Sequence, residues 1–145
     1  MTLEWTQGRS LIDGAMAAAR AQGYRSMGVV VVDAAGQVVA SGRQEGATAL
    51  RLDIALGKAA AAVGMGVNSR ALAERSARMP VFLSTIASAA QQPFIPQTGA
   101  VLIRDAAGKV LGAAGASGGT GDQDEEIIIV GIREAGFFHE VPTAG

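Results

Sequence analysis

The chain has 145 residues with 12 Lys and Arg against 13 Asp and Glu, a net charge of -1 that gives no electrostatic reason for a nucleic-acid or anionic-membrane surface. It has no cysteine and one histidine, His139, which excludes disulfides, thiolate chemistry and any site needing two imidazoles within the chain. Alanine and glycine make up 49 residues and aromatics only 4%, so backbones can approach closely while each side chain buries little area, which predicts a thin core that leans on partner subunits.

The first helix is expected over residues 3–22, with Leu11, Ile12, Ala15, Ala18 and Ala19 at helical spacing and Gly23 as its stop. Residues 27–32 form a β-branched run that reads as a buried strand. Asp33-Ala34-Ala35-Gly36 turns the chain, and residues 37–41 return it. A helix over residues 48–65 carries a stripe of Leu52, Ala55, Leu56, Ala59, Ala60 and Val63. A shorter one over 68–78 ends at Met79-Pro80. Residues 81–97 are ambiguous: 84–92 reads as a helical turn or a loop, and Phe94-Ile95 as a short strand at best between two prolines. The tetrapeptide Asp-Ala-Ala-Gly recurs at 105–108 between apolar runs at 100–104 and 109–116, a second hairpin. A last helix runs from the glycine-rich segment 117–121 to about Ala135, with 137–145 as a tail. Two hairpins mean antiparallel pairing, so the expected class is α+β, one domain over 1–145 with a single antiparallel sheet flanked by helices.

Ser117-Gly118-Gly119-Thr120 joins a buried strand to a helix. Its amides can converge on a carboxylate or phosphate at the helix N-terminus, or the segment is a tight connection capped by Thr120 or Asp122. No Gly-Lys-Ser/Thr follows, so it is not a phosphate-binding P-loop. Asp124 shares a helix face with Ile128, Ile132 and Ala135 and is expected to be buried, either tying the glycine loop or acting as a general base or ligand contact. Ile127-Ile128-Ile129-Val130 points all round the helix, which predicts a neighbouring subunit as second cover. Lys58 lies opposite the Leu52/Leu56/Val63 stripe, in line with Arg51, Ile54 and Ala61. Its two readings are a solvated lysine and the wall of a pocket or interface. Arg43 and Arg104, at strand ends, are candidate carboxylate contacts. No metal cluster is legible, and haem iron would have only His139, Tyr24 or a methionine as ligand.

Asp53-Ile54-Ala55 with Lys58-Ala59, Gly99-Ala100-Val101-Leu102-Ile103-Arg104-Asp105, Val110-Leu111-Gly112 and Ser117-Gly118-Gly119-Thr120 with Gln123-Asp124-Glu125 resemble the GlcG/HbpS-like family, the haem-degrading domain group that includes the C-terminal domain of PduO-type proteins. The resemblance implies a profilin-like fold and a homo-oligomer, a dimer or a larger assembly up to an octamer, with ligands near subunit interfaces. It also implies haem or corrinoid binding in some members. Two departures, Ala100-Val101-Leu102 at a strand entrance where the family has Gly-Val-Pro, and the isoleucine run in place of alanines, would reshape a pocket or interface. The resulting expectation is a cytoplasmic small-molecule-binding oligomer for a carboxylate-bearing metabolite, with no cofactor required and no nucleic-acid or membrane partner. Ligand contacts are assigned to Arg43, Arg104, Ser117, Gly118, Gly119, Thr120 and Gln123. The alternative is a cofactor-independent lyase, isomerase or hydrolase using Lys58 and Asp124 as catalytic residues and the loop amides as an oxyanion site. Haem binding or breakdown is a third reading.

Overall fold

The computed structural model describes residues 2–143. Along them run α1 (Trp5–Ala21), β1 (Gly28–Asp33), β2 (Val38–Arg43), α2 (Leu50–Met65), α3 (Ser69–Arg78), α4 (Pro80–Ala89), β3 (Ala100–Arg104), β4 (Val110–Ser117) and α5 (Gly121–Glu134). The strands make one antiparallel sheet in the order β2-β1-β4-β3, so the two hairpins pair through their inner strands, β1 against β4. Both turns use the same chemistry. One Asp33 carboxylate oxygen accepts from the N–H groups of Ala35 and Gln37 at 2.9 and 3.0 Å, and Asp105 repeats this with Ala107 and Lys109 at 2.9 Å each.

Helices cover both faces of the sheet, which is why β1 and β3 are apolar runs rather than alternating strands. On one face Val29, Val31, Val101, Ile103, Ala114 and Ala116 meet Leu11, Ala15, Ile127, Ile128 and Ile132 from α1 and α5. On the other, Val30, Val32, Ala100, Leu102 and Ala113 meet Ala55, Ala59 and Ala62 of α2. The alanine and glycine load is a close-packing device here. A Cβ built on Gly115 would lie 2.5 Å from the Ala55 carbonyl oxygen, so α2 rests its backbone directly on β4.

Three expectations change. Residues 80–89 form a full helix. Pro80 sits in its first turn, where a missing N–H costs nothing, and Leu83 and Ile86 pack on Leu72, Met65 and Phe94. Phe94-Ile95 is not a strand. The segment crosses α2 as a strap, held by the Ile95 N–H donating to the Gly57 carbonyl at 3.1 Å. Along the isoleucine run of α5, Ile127 and Ile128 are fully buried against α1 and the sheet, while Ile129 and Val130 are only half-buried by this chain. The C-terminal segment is also partly built in. Phe137 is buried, and Phe138 exchanges two backbone hydrogen bonds with Arg104. The end of the expected tail, 144–145, lies outside the described residues.

Candidate functional site

β4 ends at Ser117, beside the start of β1, and the chain then turns through Gly118 and Gly119 into α5. Gly118 has φ +153°, and a Cβ there would lie 2.3 Å from the Ser26 carbonyl oxygen. Only glycine passes at this point. Thr120 caps α5 by accepting from the Gln123 N–H at 3.2 Å, and the Gln123 side chain accepts from the Thr120 N–H at 3.0 Å, a reciprocal capping box.

Behind the loop lies a buried ion pair. Lys58 Nζ is 3.0 Å from Asp124 Oδ2 and donates to the Ala116 carbonyl oxygen at 3.0 Å, while Asp124 Oδ1 accepts from the Gly119 N–H at 2.9 Å. Lys58 is 5% and Asp124 1% exposed, so the reading of Lys58 as a solvated lysine fails. α2 packs across one face of the sheet, and Gly99, just before β3, comes up against the Lys58 side chain. Gly99 has φ +138°, and a Cβ there would stand 2.8 Å from Lys58 Nζ. Burial pushes the Asp124 carboxyl above its ordinary range. The Gly119 N–H, the Lys58 ammonium and the Arg51 guanidinium pull it back.

Lys58, Asp124 and the loop share a cavity of about 500 Å³ with Arg51, Ile54, Ile95, Gln97 and Thr98. Ser117, Gly119, Thr120 and Asp122 also line it. Arg51 escapes a sequence reading centred on the loop, although it stands seven residues before Lys58 on the same helix face. Its Nη1 is 3.3 Å from Ser117 Oγ, and its Nε, buried, finds no acceptor in the protein. Asp122 at the rim is paired with Arg70 of α3, which also reaches Glu125.

Three candidates lie elsewhere. Arg104 is at the opposite end of β3, about 13 Å along the strand from Ala100, and donates to the Gly108 carbonyl oxygen at 3.0 Å. Arg43 is two strands from Ser117 and is committed to the Ala47 carbonyl oxygen at 3.2 Å. Gln123 does not line the cavity and serves the capping box. The loop residues, Lys58 and Asp124 are brought together; the two strand-end arginines do not join them.

The cavity wall has no histidine, methionine, tyrosine or cysteine. Its one amine, on Lys58, is committed to Asp124 and Ala116. Tyr24 donates to Glu126 on another side, and His139 lines a separate depression with Arg70, Glu74 and Glu125. The residues here therefore do not fit a haem held through an axial ligand of this chain. Among the described residues no group of three or more His, Asp or Glu side chains is placed to hold a metal ion.

The α+β fold is shared with solved structures. A family profile described as "Haem degrading protein HbpS-like" matches residues 3–133, and the chain belongs to that family. A crystal structure of a PduOC:heme complex is 25% identical, with a TM-score of 0.82, covering 97% of this chain and 99% of that one. A double mutant of HbpS from Streptomyces reticuli is 27% identical, with a TM-score of 0.79 over 92% and 86% of the two chains. Protein ORFY of Klebsiella pneumoniae, 24% identical with a TM-score of 0.81 over 93% and 91%, shares the fold. No match was found among curated proteins. No described helix is long and apolar enough to cross a membrane.

Proposed function

We propose that the chain is a small-molecule-binding protein whose ligand is an organic acid held in the cavity between α2, the segment 95–98 and the loop 117–121. The observation that carries this is the convergence of cationic and N–H groups on one concave surface: the N-terminus of α5 opens onto the same cavity as Arg51 and Lys58. Binding is favoured over catalysis by how the ion pair is used. Both Asp124 oxygens are occupied, one by Gly119 and one by Lys58, and two of the three Lys58 N–H groups hold the frame. The pair shapes the loop; it is not poised to take a proton from a substrate.

The test is a thermal-shift and calorimetric screen of small organic acids against neutral isosteres. Acids should raise the unfolding temperature, and a screen in which only neutral compounds do so refutes the reading. Titration with hemin addresses the haem relatives directly. The lining predicts that any Soret shift is insensitive to substitutions at Lys58 and Asp124.

Assembly into a homo-oligomer is part of the proposal, supported by half-buried Ile129 and Val130 on α5 and by an exposed apolar patch on α4. Val81 is 79% exposed, with Phe82 and Met79 also exposed beside it at the N-terminal end of α4. Light scattering should give a mass above the 14.6 kDa chain, and Val81→Asp with Phe82→Asp should lower it. A monomeric wild type refutes it.

A further inference from the structure

The proposed cavity has a charge balance that narrows the ligand class. Two cations and two carboxylates line it: Arg51, Lys58, Asp122 and Asp124. Lys58 is spent on Asp124 at 3.0 Å, and Asp122 is satisfied from outside the cavity by Arg70. That leaves Arg51 as the one lining cation without a carboxylate partner of its own. Its only side-chain bond is the long one to the neutral Ser117 hydroxyl. Its Nε is the one buried side-chain nitrogen or oxygen among the described residues without a partner in the protein. A guanidinium is a planar fork built for a carboxylate, and leaving one of its donors buried and unpaired is costly. The apolar side chains of the lining are Ile95, seated on Gly57 of α2, and Ile54, one helical turn from both Arg51 and Lys58; Gln97 and Thr98 beside them are neutral, so the lining offers no further cation for a second charged group.

We propose that Arg51 is the anchor of the site and that its ligand is a small monocarboxylate carrying a short apolar chain, the carboxylate on the Arg51 fork beside Ser117 and the chain against Ile54 and Ile95. This rests on the reading of the cavity as an organic-acid site. A dicarboxylate or phosphate brings a second negative charge toward Asp122 and Asp124 with no free cation to meet it, so the site discriminates by charge as well as by size.

The probes are propionate, malonate and inorganic phosphate, titrated by calorimetry into the wild type, Arg51→Gln and Arg51→Lys. Propionate should bind the wild type more tightly than malonate or phosphate. Arg51→Gln should weaken it about 10- to 100-fold through loss of a charged hydrogen-bonding partner, and Arg51→Lys should weaken it less. In the wild type itself, propionate should protect Arg51 from phenylglyoxal, read by peptide mass, so the inference does not depend on the variants folding. Propionate binding that is unchanged in Arg51→Gln, with no protection, overturns the role of Arg51 and leaves the cavity reading standing. Tighter malonate or phosphate overturns the single-charge class. No binding of any of the three anions overturns the cavity reading along with the inference.

Discussion

Lys58→Met is the most informative single perturbation of the frame. It keeps most of the side-chain volume and removes the ammonium that meets Asp124 at 3.0 Å and the Ala116 carbonyl at 3.0 Å. Breaking one partner out of a buried pair costs about 3–5 kcal/mol. Asp124, 1% exposed, keeps its bond from Gly119 and already holds a proton more readily than a free carboxyl, so the lower end, about 3 kcal/mol at neutral pH, is expected. For a chain of this length that is roughly 10 °C in Tm. The pH dependence has a definite sign. The folded Asp124 carboxyl titrates above its ordinary 3.8, so the folded state holds that proton more tightly than the unfolded one. Its favourable contribution is full below 3.8 and is lost as pH rises through the folded value. Without Lys58 the carboxyl moves further up and the loss extends to higher pH, so the deficit of the variant should grow from pH 4 toward 8. Urea unfolding followed by circular dichroism over that range measures it. Lys58→Met with Asp124→Leu should be less destabilised than Lys58→Met alone, since no unpaired charge remains. A deficit below about 1 kcal/mol, flat with pH, would refute the account of the pair as the frame of the loop.

Other outcomes follow from single contacts. Gly99→Ala should destabilise by about 1–3 kcal/mol from backbone conformation alone, with crowding of Lys58 Nζ added, and the variant should show it in Tm and in loss of organic-acid binding. Ser69→Ala removes a buried hydroxyl that accepts from the Ala100 N–H at 2.8 Å and donates to its carbonyl at 3.3 Å, orphaning the start of β3 for about 1–3 kcal/mol in urea unfolding. Arg70→Ala, whose side chain is 44% exposed, should cost no more than about 1 kcal/mol in urea unfolding; by freeing the Asp122 carboxylate at the rim it should weaken organic-acid binding, but far less than Arg51→Gln does.

The hairpins were legible because Asp and Gly each do a nameable local job in the repeated tetrapeptide. Burial of Asp124 was legible from its register with Ile128 and Ile132. What the sequence hid was tertiary. α4 was obscured by Pro80, which reads as a breaker until its place in the first helical turn is known. Periodicity alone could not say which of the α5 isoleucines α1 covers: Ile127 and Ile128 are buried, while Ile129 and Val130 stay half-buried. A Cβ on Gly131 would come 2.5 Å from the Leu11 carbonyl oxygen, so those two helices touch by backbone. Arg104 carried the right chemistry at the wrong end of its strand. Arg51 shared the face of Lys58, but only the strap at residues 95–98 turns that face into a cavity wall, and a segment held by one backbone bond to α2 leaves no periodic trace.

Amide NMR shifts during a propionate titration test the central claim most directly. The largest changes are expected at Gly119, Thr120, Gly121 and the Arg51 Nε–H. Shifts confined to the separate depression lined by Met65, Ile86 and Phe94, with those resonances unmoved, would contradict it.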